Sequence, residues 1–413
     1  MKKLLSLLMM AGVMASMISC SEDDGGSIDG DGDGDGVDGN VLVEANISAD
    51  ETWTSDNVYE LGGRITVLDG ATLTIEAGTI IKGQAGTGSN ATALMVARGG
   101  MLMAEGTADA PIIFTSVADE ITPEDVAAGN TVSPNLNSDI NGLWGGVLVL
   151  GRAPIIASNW ETGDKDQSEV TMEGIPSSDT NAIYGGSDPE DNSGVLKYIS
   201  IRNAGSLIAP GNEINGLSLG GVGSGTTIEN IEVVANQDDG IEIFGGTVDI
   251  TNVLVWNSSD DALDTDQDWT GTLNNFIIID PRDGGSGFEL DGPEGESAST
   301  GCHTFINGTV YASNTGLASL VDWDDNTNAQ VKNVYFYGMA ADYVDGIASY
   351  NGSGCGTSDG WEATLADGVE VADVFGDVTV SIVAKNANTV GADASKFGWT
   401  WAAKAGKLAE IGL

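Results

Sequence analysis

Three stretches of this chain superimpose with acidic residues in matching slots. They are Asp239–Phe244 (DGIEIF), Asp261–Asp266 (DALDTD) and Ser286–Asp291 (SGFELD). From Ile241 to Leu263 is 22 residues, and from Leu263 to Phe288 is 25. A period of that length marks a solenoid in which one coil is repeated and stacked. Within each stretch apolar residues alternate with acids, as they do in a half-buried strand whose apolar set faces a core. Stacking then places Glu242, Asp264 and Glu289 in one outward column, at roughly 4.8 Å per step.

The same register extends along the chain. One strand recurs with inward pairs Ile199/Ile201, Ile231/Val233, Val253/Val255, Phe276/Ile278 and Val334/Phe336. A second recurs with Leu217/Leu219, Ile241/Ile243, Leu263/Thr265, Phe288/Leu290 and Leu317/Ser319. On the outward side of the second strand the first slot reads Ser218, Glu242, Asp264, Glu289, Ala318, and the slot two residues on reads Gly220, Phe244, Asp266, Asp291, Leu320. The acids therefore fill three coils and are expected to stop on both sides. Asn203, Asn236 and Asn257 fall at turns, where asparagine tolerates the left-handed conformation. Roughly ten coils are expected, because a solenoid extends one core without the size limit of a globular domain.

Composition agrees with many short strands and tight turns. There are 59 glycines and 9 prolines, and aromatic residues make up 6%. With 62 acidic against 15 basic residues the net charge is −47, which excludes nucleic acid as a partner.

At the start, Lys2 and Lys3 precede an apolar run from Leu4 to Met14 and the segment Met17-Ile18-Ser19-Cys20. This reads as a secretory signal over residues 1–19, too short for a membrane span. Met17–Cys20 resembles the lipobox of bacterial lipoproteins, with Met17 where the family prefers Leu. The resemblance implies lipid on Cys20 and an outer-membrane anchor. Ser21-Glu22-Asp23-Asp24 resembles the surface-export signal of such lipoproteins, which implies display at the cell surface. Residues 20–40, rich in Gly and Asp, cannot fold alone and read as a tether. The β-helix is expected over residues 41–390 and a short helical cap over 391–413, closing the last coil.

The coil sequences carry a further likeness. RITVLDGATLTIEAGTIIKG (Arg64–Gly83), LMVARGGMLMAEGTADAPIIFTS (Leu94–Ser116) and LWGGVLVLGRAPI (Leu143–Ile155) resemble the opening coils of right-handed parallel β-helices of the pectate-lyase-like superfamily. Gly194–Gly292, with its segment Ala209–Thr226, resembles bacterial β-helix lipoproteins. The fold expected is all-β, a right-handed parallel β-helix with loop insertions and a short helical cap. Val117–Asn141 and Ser158–Ser193 break the rhythm as loops. Thr122-Pro123-Glu124-Asp125 reads as the start of a helix.

Two carboxylates 5 Å apart repel by about 3 kcal/mol at an effective dielectric near 20. A hard cation relieves that cost, and Ca²⁺, with six to eight oxygen ligands, suits such a set best. The candidate ligands are Asp239, Glu242, Asp261, Asp264, Asp266, Glu289 and Asp291, with Asp238 and Asp260 adding charge at the turn. The alternative is a solvated acidic face.

The first strand's outward slots become apolar: Leu254/Trp256, Ile277/Ile279, Thr309/Tyr311 and Tyr335/Tyr337. Such a stripe is either covered, by the 158–193 loop or the C-terminal segment, or used for docking. In the second case Trp256, Tyr311, Tyr335 and Tyr337 would bind a ligand such as a sugar. Cys302 and Cys355 are expected to pair outside the cell. His303, the lone histidine, reads as an incidental loop residue.

The resulting expectation is a surface-anchored, calcium-stabilised β-helix that binds a glycan or a protein partner such as an outer-membrane receptor. The enzymatic alternative is a calcium-dependent polysaccharide lyase, with Arg282 as its base, or a two-carboxylate hydrolase. The Gly-His-Gly and Arg-Ile-Lys motifs of polygalacturonase-like enzymes are absent from the sequence.

Overall fold

The computed structural model describes residues 39–413, apart from 160–161, 210–211, 283, 325, 350–354 and 356–358. The expected signal peptide, Cys20 and all but the end of the expected tether lie outside the described residues. The first strand, Asn40–Val43, begins one residue before the expected boundary.

Alternating inward apolar residues wind the chain into a parallel β-helix. Its walls are a sheet of 15 strands and a sheet of nine, each paired rung to rung in parallel. In the larger sheet the long strands Gly194–Arg202, Thr227–Val234, Ile250–Trp256, Thr272–Ile279, His303–Tyr311 and Ala329–Tyr337 stack in the register expected from the inward pairs. His303 therefore opens a strand rather than lying in a loop. It is 2% exposed, with Nε2 3.2 Å from the Thr265 hydroxyl. One core runs through the stack from Ile47 to Val378.

Each long strand bends once, at a residue with positive φ: Tyr198 (50°), Asn230 (60°), Asn252 (60°), Asn275 (65°), Asn307 (62°) or Asn333 (53°). The bend changes the inward spacing from two to three, so Ile228 and Ile231 both face the core, as do Leu273 and Phe276. Asparagine suits the corner twice over. It tolerates the left-handed region, and its amide can bond the asparagine of the next rung. Asn275 Nδ2 donates to Asn252 Oδ1 at 2.6 Å, and Asn252 Nδ2 donates to Asn230 Oδ1 at 3.0 Å. Asn252→Ala loses both amide bonds and puts a Cβ residue without a polar group at φ 60°. A loss of about 2–4 kcal/mol is expected, read as a lower urea midpoint with an unchanged slope.

At the other end of the long strands Asn203 and Asn257 take positive φ as expected. At the intervening rung Ala235 does so (59°) and Asn236 does not. Asn236 instead uses its amide to cap the Asp239 carbonyl at 2.6 Å. Gly308 is fixed by a close approach, since a Cβ there would lie 1.9 Å from the Phe276 ring.

The nine-stranded sheet confirms the pairing of Leu217–Gly220, Ile241–Phe244, Leu263–Asp266 and Phe288–Leu290. The next rung differs from the expectation. It is Val321–Trp323, with Glu289 opposite Asp322 and Leu290 opposite Trp323. Leu317 is buried just before this strand, so its apolar character marked the core without marking the rung. Ala318 thus leaves the outward column and Asp322 enters it, extending the acids to four rungs.

The C-terminal segment corrects another expectation. It does not close the last coil but runs back along the outside of the long-strand sheet. Thr389 Oγ1 bonds Glu362 at 2.6 Å, Ala392 N donates to Thr309 at 2.9 Å, and Asp393 N donates to Asn275 at 2.7 Å. Trp399 then meets Tyr198 edge-on at 5.5 Å. Phe397, Ala402, Leu408 and Ile411 pack on Leu254, Ile277, Ile279, Tyr335 and Tyr337.

The apolar stripe is therefore covered. Tyr335 is 2% and Tyr337 3% exposed, and Trp256 and Tyr311 are partly buried against the same cluster. These four aromatics do not present an open ligand platform. They anchor the strap.

Expectations for the two loops divide in the same way. Pro123–Ala127 is a helix, with Thr122 and Asp125 forming a capping box and Val126 buried. The 158–193 loop folds a hairpin, Glu169–Thr171 against Ile183–Gly185, over the short-strand sheet rather than over the aromatic stripe. Val170, Met172 and Tyr184 pack there with Leu148 and Phe244.

Candidate functional site

The short-strand sheet presents Ser218, Glu242, Asp264, Glu289 and Asp322 in register on its outer side. Asp239 and Asp261 stand at the turn leading into it. Each staples its coil to the next: Asp239 Oδ1 accepts the Asp261 N–H at 2.9 Å, and Asp261 Oδ1 accepts the Ser286 N–H at 2.5 Å. The hairpin loop brings Met172 and Glu173 over the column. Together they enclose a cleft of about 270 Å³, also lined by Leu148, Ile214, Asn215 and Phe244.

The acids here are far more buried than such residues usually are. Asp239 and Glu242 are 7% exposed and Asp264 is 9% exposed. Burial pushes all three carboxyls well above the ordinary carboxylate range. Glu242 adds to this effect on Asp239 and Asp264, and Asp266 and Glu173 add to it on Glu242. Glu289 is pushed up to about 9, first by burial and then by Asp261.

The seven expected metal ligands separate into two neighbourhoods. Carboxylate oxygens of Asp239, Glu242 and Asp264 lie within 4.8 Å of one another, and Asp238, Asp239 and Asp260 form a second such group. Asp261 and Glu289 line the same cleft. Asp266 and Asp291 do not. They face an adjacent depression with Glu294, Asp324 and Lys165. There burial and Asp324 raise Asp291 to about 7, while Gln267 Nε2 donates to Glu294 at 3.0 Å.

The first neighbourhood offers oxygens at a spacing that could hold a hard cation. Calcium–oxygen distances of about 2.3–2.6 Å put oxygens on opposite sides of one ion roughly 5 Å apart. Asn215 adds a neutral oxygen. Its Nδ2 donates to Glu242 Oε2, while its Oδ1 is buried and has no hydrogen-bond partner. An amide oxygen left in that state is costly, and a bound cation would satisfy it. Among the described residues no His or Cys lines the cleft, so none of them selects a softer metal.

Arg282 lies elsewhere. Its Nη2 donates to the Ser138 carbonyl at 2.9 Å, in a depression with Asp139, Asn257 and Ser313. It does not line the acidic cleft, and among the described residues no arginine does. Cys302 and Cys355 form a disulfide with Cα atoms 5.9 Å apart.

Sequence reading missed one residue of the acidic column and two polar residues of the cleft. Asp322 was hidden by the misplaced rung, although Val-Asp-Trp has the same apolar–acid–apolar form as Ile-Glu-Ile and Phe-Glu-Leu. Asn215 stands three residues before Ser218, as Asp239 stands three before Glu242, and this repeat offset could have revealed it. Glu173 arrives from a loop with no repeat signal.

Among known proteins, the family profile described as a pectate-lyase like beta helix domain matches residues 45–404. No curated protein and no solved structure matches the chain.

Proposed function

Because the chain belongs to the pectate-lyase-like β-helix family, we propose that it is a calcium-loaded binding module. In this reading it is carried at the cell surface on a lipidated Cys20 and engages its ligand beside the acidic cleft. The observation that carries the reading is the convergence of Asp239, Glu242 and Asp264 within 4.8 Å, next to the unpaired Asn215 oxygen. Calcium bound there would neutralise repelling carboxylates and offer any remaining coordination position to oxygens of a ligand. Glycan hydroxyl and carboxylate groups have that chemistry. A protein partner such as an outer-membrane receptor is the other occupant to test.

Binding is favoured over the lyase reading because no arginine is among the described residues lining the cleft.

Calcium titration by calorimetry tests the cation. Saturable binding is expected in the wild type, and Asp264→Asn is expected to weaken it by at least about tenfold, or 1.4 kcal/mol. Absence of binding at millimolar calcium rejects the reading. Glycan arrays with and without calcium, alongside pull-down of membrane proteins, then separate the two ligand classes. Release of unsaturated or reducing sugar ends would instead establish an enzyme.

A further inference from the structure

The asparagine ladder and the C-terminal strap meet in a second cleft, of about 440 Å³, on the opposite sheet from the acids. Donation along the ladder runs one way, from Asn275 to Asn252 to Asn230. The next corner toward the N-terminus is Tyr198, which has no amide to continue it. Asn230 lines the cleft with its oxygen occupied by Asn252, and among the described residues its Nδ2 donates to no acceptor. Hydrogen bonds in a chain polarise one another, so the terminal N–H is the strengthened donor of the series.

The strap supplies further donors. Lys396 and Lys404 line the cleft, as does Trp399, whose buried indole Nε1 has no acceptor. One carboxylate, Asp109, lines it. This balance runs against the whole molecule, in which acids outnumber bases 62 to 15. Lys404 Nζ reaches the Gly129 carbonyl at 3.1 Å and Asp109 offers one carboxylate, yet the Trp399 indole N–H stays unpaired, so donors outnumber acceptors and a ligand would bring the missing one.

We propose that this cleft binds a small oxyanion, a carboxylate or phosphate group, held by Lys396, Lys404 and the Asn230 amide. It is a site distinct from the cation cleft and does not depend on calcium being bound there. The oxyanion is either a free ion or the charged group of a larger molecule.

Calorimetry of the whole protein at low ionic strength, with inorganic phosphate and with glutarate as separate probes, tests the proposal. Saturable binding with a Kd on the order of 1 mM is expected for at least one probe, and it should weaken as sodium chloride is added. Lys396→Ala with Lys404→Ala should weaken it at least about tenfold. Asn230→Asp keeps the size and tolerates the left-handed backbone while replacing the donor by a negative charge, and should abolish binding. Calcium titration of the same variants should be unchanged, which separates failure here from failure of the cation reading. The proposal falls if neither probe binds the wild type, or if binding survives Asn230→Asp and the double lysine variant intact.

Discussion

Glu232→Ala is expected to release the C-terminal strap and to cost about 3–5 kcal/mol, the range for removing one partner of a buried charged network. Glu232 is fully buried beneath the helix Trp401–Lys404. Its carboxylate accepts the N–H groups of Trp401 and Ala402, both at 3.0 Å, and the Ser200 hydroxyl at 2.6 Å. Thr400 Oγ1 takes the N–H of Ala403 at 3.1 Å. Together they satisfy the first-turn donors that a helix cannot satisfy internally.

Arg202 lies beside this network, 1% exposed. Its Nε donates to Ser200 at 2.8 Å, and its guanidinium sits 4.9 Å from the Trp401 ring centre. Alanine at 232 strands these donors and leaves the arginine without its buried counter-charge. Limited proteolysis should then cut within residues 384–400 under native conditions. Binding of a hydrophobic dye should rise as Ile277, Ile279, Tyr335 and Tyr337 become wet. Glu232→Gln keeps one acceptor oxygen and is expected to fall between wild type and alanine. An alanine variant as protease-resistant as the wild type would show that the apolar contacts alone hold the strap.

The metal-free protein is expected to lose stability as pH rises, against the usual behaviour of salt-bridged carboxylates. Asp239, Glu242, Asp264 and Asp266 are raised well above the ordinary range, Asp291 to about 7 and Glu289 to about 9, with burial the first cause in each. A carboxyl raised on folding holds its proton more tightly in the folded state than in the unfolded one. Stability is therefore unpenalised below about pH 4 and falls as pH climbs through the folded values toward 9. With chelator present, the melting temperature should drop between pH 5 and pH 8 on the order of 10 °C. That corresponds to about 2.5–5 kcal/mol at roughly 2–4 °C per kcal/mol. Calcium should reverse most of the loss at pH 8 and little of it at pH 5, because protons and the cation compete for the same oxygens. Melts that rise with pH in chelator would contradict the buried acid cluster.

The wound sheet was legible because its signal is local and repeated. Alternation at Ile241/Ile243 and Leu263/Thr265 sets the inward face, and the 22-residue spacing sets the register. Legibility failed where the repeat lengthened. Between Leu290 and Val321 two possible rungs compete, and Leu317 is buried whether or not it belongs to one. The corner ladder was readable in principle, since Asn230, Asn252, Asn275, Asn307 and Asn333 recur near the coil period, but a mid-strand bend shifts the inward spacing by a single residue and leaves no wider break in the apolar pattern to mark it. The path of the strap was not readable. Its contacts join Trp401 to Glu232 across 169 residues, and no periodicity encodes such a pairing. The acidic cleft was half readable. Its column follows from the rungs, while its wall at Met172 and Glu173 depends on how a loop folds back.

Stacked rungs touching only their neighbours tend to melt piecemeal, fraying inward from whichever end is weaker. A segment laid lengthwise across several of them changes that behaviour. Rungs near Glu232 and rungs near Tyr335 are tied through one stretch of polypeptide, so neither group can loosen without tearing the same ribbon away. The C-terminal strap thus acts as the splint that makes the middle of the stack open and close as a single cooperative unit.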